Sequence, residues 1–187
     1  MKLSATHQAW ADLLEERLGG VVEIKEYRNA KGDAGIPIFT STTESGIFAA
    51  TIGLMETIQT LPPAAPMYTE LMIERAAHDR TICNLLASAA FYVMKEGFRV
   101  HPGVVFGKLV ANFYPKTELP HLFFTVPYQG DGLDVAELPG RTIHPLLGIP
   151  ISEAEAQLAR DARGEKLELA WEAKATDVLD WHLASVV

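Results

Sequence analysis

Between Asp79 and Gly97 the apolar residues Ile82, Leu85, Leu86, Ala89, Ala90, Val93 and Met94 recur at intervals of three and four. That spacing places them on one side of a helix. Asp79 ahead of the run and Gly97 behind it supply a start and a stop. A stripe this continuous has to be buried, and strand-like segments precede and follow it. The segment therefore predicts a helix over Asp79–Glu96 laid across a sheet.

The flanking segments fill in the frame. A first helix is expected from Ser4 to Leu18, with Trp10, Leu13, Leu14 and Leu18 on one face and Gly19-Gly20 as its stop. Val21–Tyr27, Ile36–Phe39, Ile47–Met55 and Met67–Glu74 read as strands, separated by Lys31-Gly32-Asp33 and Leu61-Pro62-Pro63. Val104–Phe113, Leu119–Val126 and Arg141–Ile149 read as three more. The last quarter, Ser152 to Lys174, reads as helical with a pause at Gly164, and Asp177–His182 as strand or helix. Strands in succession with interspersed helices give an α+β fold: a mixed, mostly antiparallel sheet packed with a long central helix and flanking helices. There is no repeat or break in composition, so residues 1–187 are expected to form a single domain.

One junction carries a specific signal. In Gly148-Ile149-Pro150-Ile151-Ser152-Glu153-Ala154-Glu155 an apolar strand containing Pro150 meets a capping box. Ser152 stands at the N-cap and Glu155 at the third helical position, where side chain and backbone satisfy each other's orphan groups.

Charge and composition limit the function classes. Of 187 residues 48% are hydrophobic, enough for a substantial core. The 24 acidic and 16 basic residues give a net charge of −8, and the basic ones are scattered. A footprint for nucleic acid is therefore missing, and a basic partner is favoured. Cys83 is the single cysteine, which excludes an intramolecular disulfide and fits a reducing compartment. With a polar start at Met1–Gln8 and no run long enough to span a bilayer, a cytoplasmic protein with no membrane role is expected.

Motifs for catalysis are mostly missing. There is no Gly-rich phosphate loop, Gly-x-Ser-x-Gly elbow, His-Glu-x-x-His or dinucleotide fingerprint. Gly103–Leu109 contains a Gly-Lys pair, but the glycine spacing is wrong and no Ser or Thr follows Lys108. His101, His121 and His144 each lie beside a proline near an expected strand. They would form a metal face only if the sheet brought them together, and the plainer alternative is three strand-end residues bonded to backbone or water. His7, His78 and His182 read as surface or helix-end residues. Acid pairs such as Glu15-Glu16, Glu153 with Glu155 and Glu165 with Glu168 suit solvated helix faces. Ser45, Ser88 or Cys83 would act as a nucleophile only beside a base supplied by the fold; core packing is the plainer role for Cys83. No cofactor is expected. Phe106, Phe113, Phe123 and Phe124 suit a core, whereas Tyr114 in Tyr114-Pro115-Lys116 and Tyr128 in Pro127-Tyr128-Gln129-Gly130 stand at strand ends beside turns. The two tyrosines are the preferred surface candidates, with His101 and His121 beside them.

Taken in order, Val105-Phe106, Tyr114-Pro115-Lys116-Thr117, Leu119-Pro120-His121-Leu122-Phe123-Phe124, Pro127 and the 148–155 junction resemble the suppressor of fused domain family. The likeness runs from about Ile47 to Trp181. The family's central element resembles Met67–Ile73 followed by a long helix, and the chain departs from the family pattern at Glu74–His78 and at Val104. The resemblance implies a non-catalytic protein-interaction domain that holds a protein or peptide partner. The animal namesake is similar to a clamp that adds a peptide as an extra strand, and the single-domain bacterial type resembles immunity proteins that neutralise toxins. On the residues alone, two alternatives stay open: an enzyme or metal protein using His101, His121 or His144, and a structural homodimer.

Overall fold

The computed structural model describes residues 2–57, 59–61, 65–127, 132–161, 164–181 and 185–187, with backbone alone for 59–61 and 65–66. Its elements are α1 (Ala5–Leu18), β1 (Val21–Arg28), β2 (Gly35–Thr42), β3 (Ile47–Thr51), β4 (Gln59–Leu61), β5 (Ala65–Met67), β6 (Leu71–Arg75), α2 (Thr81–Glu96), β7 (Val105–Phe106), β8 (His121–Thr125), β9 (Ala136–Leu138), β10 (Arg141–Ile143), β11 (Leu146–Ile151), α3 (Glu153–Asp161) and α4 (Glu165–Lys174). Seven strands form one sheet in the order β1-β2-β3-β6-β11-β8-β7. Every pairing in it is antiparallel except β11 with β6, where Leu146 stands opposite Leu71. β4–β5 and β9–β10 are separate two-stranded pairs. The architecture is the expected α+β one.

Alternation along the strands divides the interior in two. Ile36 and Ile38 on β2, Leu71 and Ile73 on β6, and Leu122 and Phe124 on β8 face α2. Phe39, Met72 and Phe123, from the same strands, face the other layer, with Trp10, Leu14, Ala156, Leu167 and Trp171 from α1, α3 and α4. The stripe on α2 is buried as expected from Ile82 to Val93, each large side chain contributing roughly 1.5–3 kcal/mol. Across the sheet, Trp10 is fully buried, and its Nε1–H donates to the Thr51 carbonyl at 3.0 Å.

Several boundaries differ from expectation, each for a local reason. The strand expected over Ile47–Met55 stops at Thr51 and turns into a 3-10 segment at Leu54–Glu56, because the Glu70 carboxylate takes the N–H groups of Gly53, Leu54 and Met55. Gly53 makes that turn at φ 100°, a region that favours glycine. The expected strand Val104–Phe113 shrinks to Val105–Phe106, then gives way at Lys108, with φ 57°, to a 3-10 turn over Val110–Asn112. Arg141–Ile149 divides into β10 and β11 at His144-Pro145, where Pro145 lacks a backbone donor and Thr69 Oγ1 donates to the His144 carbonyl at 2.6 Å. β9 was not expected. The helix expected over Asp79–Glu96 starts at Thr81, whose N–H is accepted by Asp79 Oδ1 at 2.9 Å. Described residues 177–181 form turns, neither strand nor helix.

The helical last quarter is two helices, and Gly164 is required between them. A Cβ there would lie 2.8 Å from the Phe123 ring and 2.9 Å from the Gly103 Cα, at a φ of 91°. At the far end of α4, Ala175 occupies φ 48°, ψ 46° and gives its N–H to Glu172. That left-handed position favours glycine. Ala175→Gly is expected to stabilise the chain by about 0.5–1 kcal/mol, read as a raised midpoint in urea unfolding; an unchanged or lowered midpoint contradicts the strain.

Candidate functional site

The Tyr114 end of the molecule is a built cluster. β6 ends at Arg75, the turn into α2 carries Asp79, the 3-10 turn at 110–112 delivers Tyr114, and the chain returns with Trp181. Arg75 Nη1 pairs with the Asp79 carboxylate and donates to the Tyr114 hydroxyl at 3.2 Å; that hydroxyl in turn donates to Asp79 Oδ2 at 2.9 Å. The guanidinium carbon lies 4.9 Å from the Tyr114 ring centre and 5.0 Å from that of Trp181, and the two rings meet edge to face at 5.5 Å. Beside them runs a groove of about 490 Å³, lined also by Phe113, Pro115 and Lys116. The Trp181 indole N–H is buried on its wall without a hydrogen-bond partner among the described residues.

The electrostatics fix each group in one state. Desolvation works to raise the Asp79 carboxyl, but hydrogen bonds from Thr81 and Tyr114 and the charge of Arg75 hold it below the usual carboxylate range. Burial, then the bond to Asp79, pushes the Tyr114 hydroxyl well above its ordinary value. Both shifts favour an ionised acid hydrogen-bonded to a neutral phenol, which holds the cluster together. The cluster is suited to recognition: a rigid cation and two aromatic surfaces of the kind that anchor interfaces.

The other candidates fall elsewhere. His121, the first residue of β8, is only 2% exposed. Its Nδ1 accepts the Lys108 N–H at 3.0 Å, so Nε2 carries the proton and donates to Glu153 Oε2 at 2.9 Å. The hydrogen bond from His121 holds the Glu153 carboxyl below the usual range. His101 is half-buried, with Nδ1 2.8 Å from the Pro102 carbonyl oxygen, and His144 is exposed. The three imidazoles do not converge: among the described residues no three His, Cys, Asp or Glu side chains are grouped to hold a metal. Tyr128 and His182 lie outside the described residues. Cys83 is buried in α2, and burial pushes its thiol up, away from the nucleophilic thiolate. Ser45 Oγ is 2.8 Å from Thr43 Oγ1, and Ser88 lines a separate groove between α2 and the β1–β2 turn.

The 148–155 junction forms the capping box as expected. Ser152 Oγ accepts the Glu155 N–H at 3.2 Å, and Glu155 Oε2 accepts the Ser152 N–H at 2.8 Å. Pro150 lies in β11, opposite Leu122. Sequence reasoning missed Arg75, Asp79 and Trp181, although the opposite charges of Arg75 and Asp79 four residues apart were a visible signal.

The family profile described as Suppressor of fused protein (SUFU) matches residues 38–182, well over half of the chain. The chain belongs to the SUFU family. Among curated proteins it is similar to the immunity protein YqcF of Bacillus subtilis (strain 168), 25% identical over 174 residues that cover 90% of this chain and 91% of that one. Among solved structures, a SUFU homolog from Neisseria gonorrhoeae FA 1090 superposes with a TM-score of 0.76 at 16% identity, covering 97% of each chain. A chain of the Sufu–Fu complex gives 0.73 at 13% identity, covering 99% of this chain and 93% of that one. Drosophila Suppressor of Fused gives 0.61 at 13% identity; the SUFU fold seen here spans 97% of this chain and 50% of the Drosophila one. These structural likenesses place the chain in the SUFU fold. Among the described residues no helix is long and apolar enough to cross a membrane.

Proposed function

We propose that this SUFU-family chain is a cytoplasmic, non-catalytic binding protein, one domain over residues 1–187, that sequesters a protein partner, a toxin in the manner of an immunity protein. The observation that carries the reading is the nearly end-to-end likeness to an immunity protein. The name of the Sufu–Fu complex supports a protein partner for the same fold. The binding surface is the Tyr114 end, where Arg75, Tyr114 and Trp181 border the groove of about 490 Å³. The net charge of −8 raises the encounter rate with a basic partner. The long free edge, β1, carries Glu23, Lys25, Glu26 and Arg28 along its length, the charged dressing that discourages pairing with another strand. The aromatic end is therefore preferred over strand addition.

The test is affinity capture of the tagged chain from its native host, with mass spectrometry and metal analysis of the same sample, followed by titration of the captured protein against variants. Tyr114→Ala is expected to weaken the complex at least tenfold (about 1.4 kcal/mol). Val21→Ala, at the far β1 edge and 73% exposed, should change it less than twofold. A metal-loaded chain without a protein partner, or equal effects at Val21, would contradict the proposal.

A further inference from the structure

On the other side of the sheet, between the end of β8 and the C-terminal half of α4, lies a groove of about 840 Å³. Its apolar surface includes Val126, 45% exposed, together with Trp171 and Val178. Trp171 is held rigidly, edge to face with Phe123 at a centroid distance of 5.6 Å, and its Nε1–H points to Glu155 Oε1 at 3.4 Å. Around this surface stand three carboxylates, Glu168, Glu172 and Asp177, and among the described residues no lysine or arginine lines the groove.

The arrangement is unfavourable for the isolated chain. Glu168 and Glu172 are four residues apart on one helix, where like charges repel. Glu172 lies in the C-terminal half of α4, and Asp177 follows just beyond the helix, where its carbonyl end already carries partial negative charge. Glu168 accepts the Thr125 hydroxyl, and Asp177 Oδ1 accepts the Leu179 N–H at 3.1 Å. Neither bond neutralises charge. Among the described residues none of the three acids forms a salt bridge. An apolar floor bounded by uncompensated carboxylates matches one kind of occupant: lysine or arginine side chains, whose aliphatic stems cover apolar surface while their cationic heads stay at the rim.

We propose that this groove docks a basic segment of the partner protein, with Lys or Arg on Glu168, Glu172 and Asp177 and an apolar side chain against Val126 and Trp171. The inference rests on the partner-sequestering role proposed above and adds the chemistry of the partner. It also makes recognition two-sided, with the aromatic Tyr114 end on the α2 side and a charged groove on the α4 side.

The test uses the full chain, ¹⁵N-labelled, titrated with an end-blocked synthetic peptide of alternating lysine and leucine, and with its glutamate–leucine counterpart as a second probe. The lysine peptide is expected to shift the amides of Thr125, Val126 and Glu172–Leu179 and the Trp171 indole, whereas the glutamate peptide leaves them in place. The double reversal E172K/D177K should weaken lysine-peptide binding at least tenfold. E15K/E16K, the same change in net charge on exposed positions of α1, should weaken it less than twofold. The milder E172Q/D177N pair, expected to weaken binding at least threefold, serves if the reversal perturbs folding. Equal weakening by the α1 control, shifts centred elsewhere, or equal binding of the glutamate peptide would overturn the assignment. A captured partner that binds E172K/D177K undiminished would overturn the groove while leaving the sequestering role intact; absence of any partner on the wild-type chain would instead remove the role itself.

Discussion

Replacing Glu70 by alanine is expected to destabilise the chain by about 3–5 kcal/mol, because a buried carboxylate that completes a turn leaves several donors unpaired when removed. Glu70 is fully buried. Its Oε1 accepts the N–H groups of Gly53 at 2.7 Å and Met55 at 3.1 Å, and its Oε2 accepts the Leu54 N–H at 3.2 Å and the Thr51 hydroxyl at 2.5 Å. Desolvation pushes the carboxyl up to about 7, and the four donors, each favouring the charged form, keep it from rising further. The protonated form is accommodated as well: the new O–H can donate to Thr51 Oγ1, whose own hydrogen turns to the Leu71 carbonyl at 3.4 Å.

The sign of the pH dependence follows. The folded value lies above the ordinary 4.5, so between the two the folded state binds more protons than the unfolded state, and stability falls as pH rises. The contribution is fully present below 4.5 and lost above about 7, on the order of 3 kcal/mol. Denaturant unfolding at pH 5 and pH 8 should show wild type losing stability across that interval more than Glu70→Gln does. Parallel profiles for the two proteins would show that Glu70 ionises as freely in the folded state as in the unfolded one.

The second large effect is expected at Glu155. Beyond its part in the capping box, Glu155 Oε1 accepts the Val186 N–H at 3.2 Å and faces the Trp171 Nε1–H at 3.4 Å. One carboxylate, 4% exposed, therefore ties together the start of α3, the ring on α4 and the C-terminal residues. Glu155→Ala leaves buried donors unpaired on all three, at about 2–4 kcal/mol. Ser152→Ala removes only one half of the cap, at about 1 kcal/mol. Equal losses for the two variants in urea unfolding would mean that the cap alone matters and that the bonds to Val186 and Trp171 contribute nothing.

These two residues also show what could be read from the chain. The capping role of Glu155 was legible because both partners lie within four positions, and the α2 stripe because its period is complete within one helix. The other bonds of Glu155 were not, since Val186 and Trp171 reach it only through tertiary packing. Glu70 looked like one more residue of a strand from Met67 to Glu74, and nothing local indicates that its carboxylate will fold back on Gly53 and end β3 early. His121 behaves alike: it accepts the Lys108 N–H where the chain leaves extended structure. At the site, Tyr114 could be picked out from Tyr114-Pro115-Lys116 as a strand-end aromatic. Arg75 and Trp181 could not, because they meet it only when the end of β6 and the chain beyond α4 converge. The three histidines failed as a set for the converse reason: similar local contexts beside prolines place one ring in the core, one half-buried and one in solvent.

Sequestration without catalysis is tested most directly by stoichiometry. The captured partner, held at fixed concentration with its own activity as the readout, is titrated with the purified chain. Loss of partner activity should follow added chain linearly and end at one chain per partner, with a stable complex of the summed mass by light scattering. Inactivation by far less than one equivalent, or a partner left fully active in excess chain, would contradict the claim.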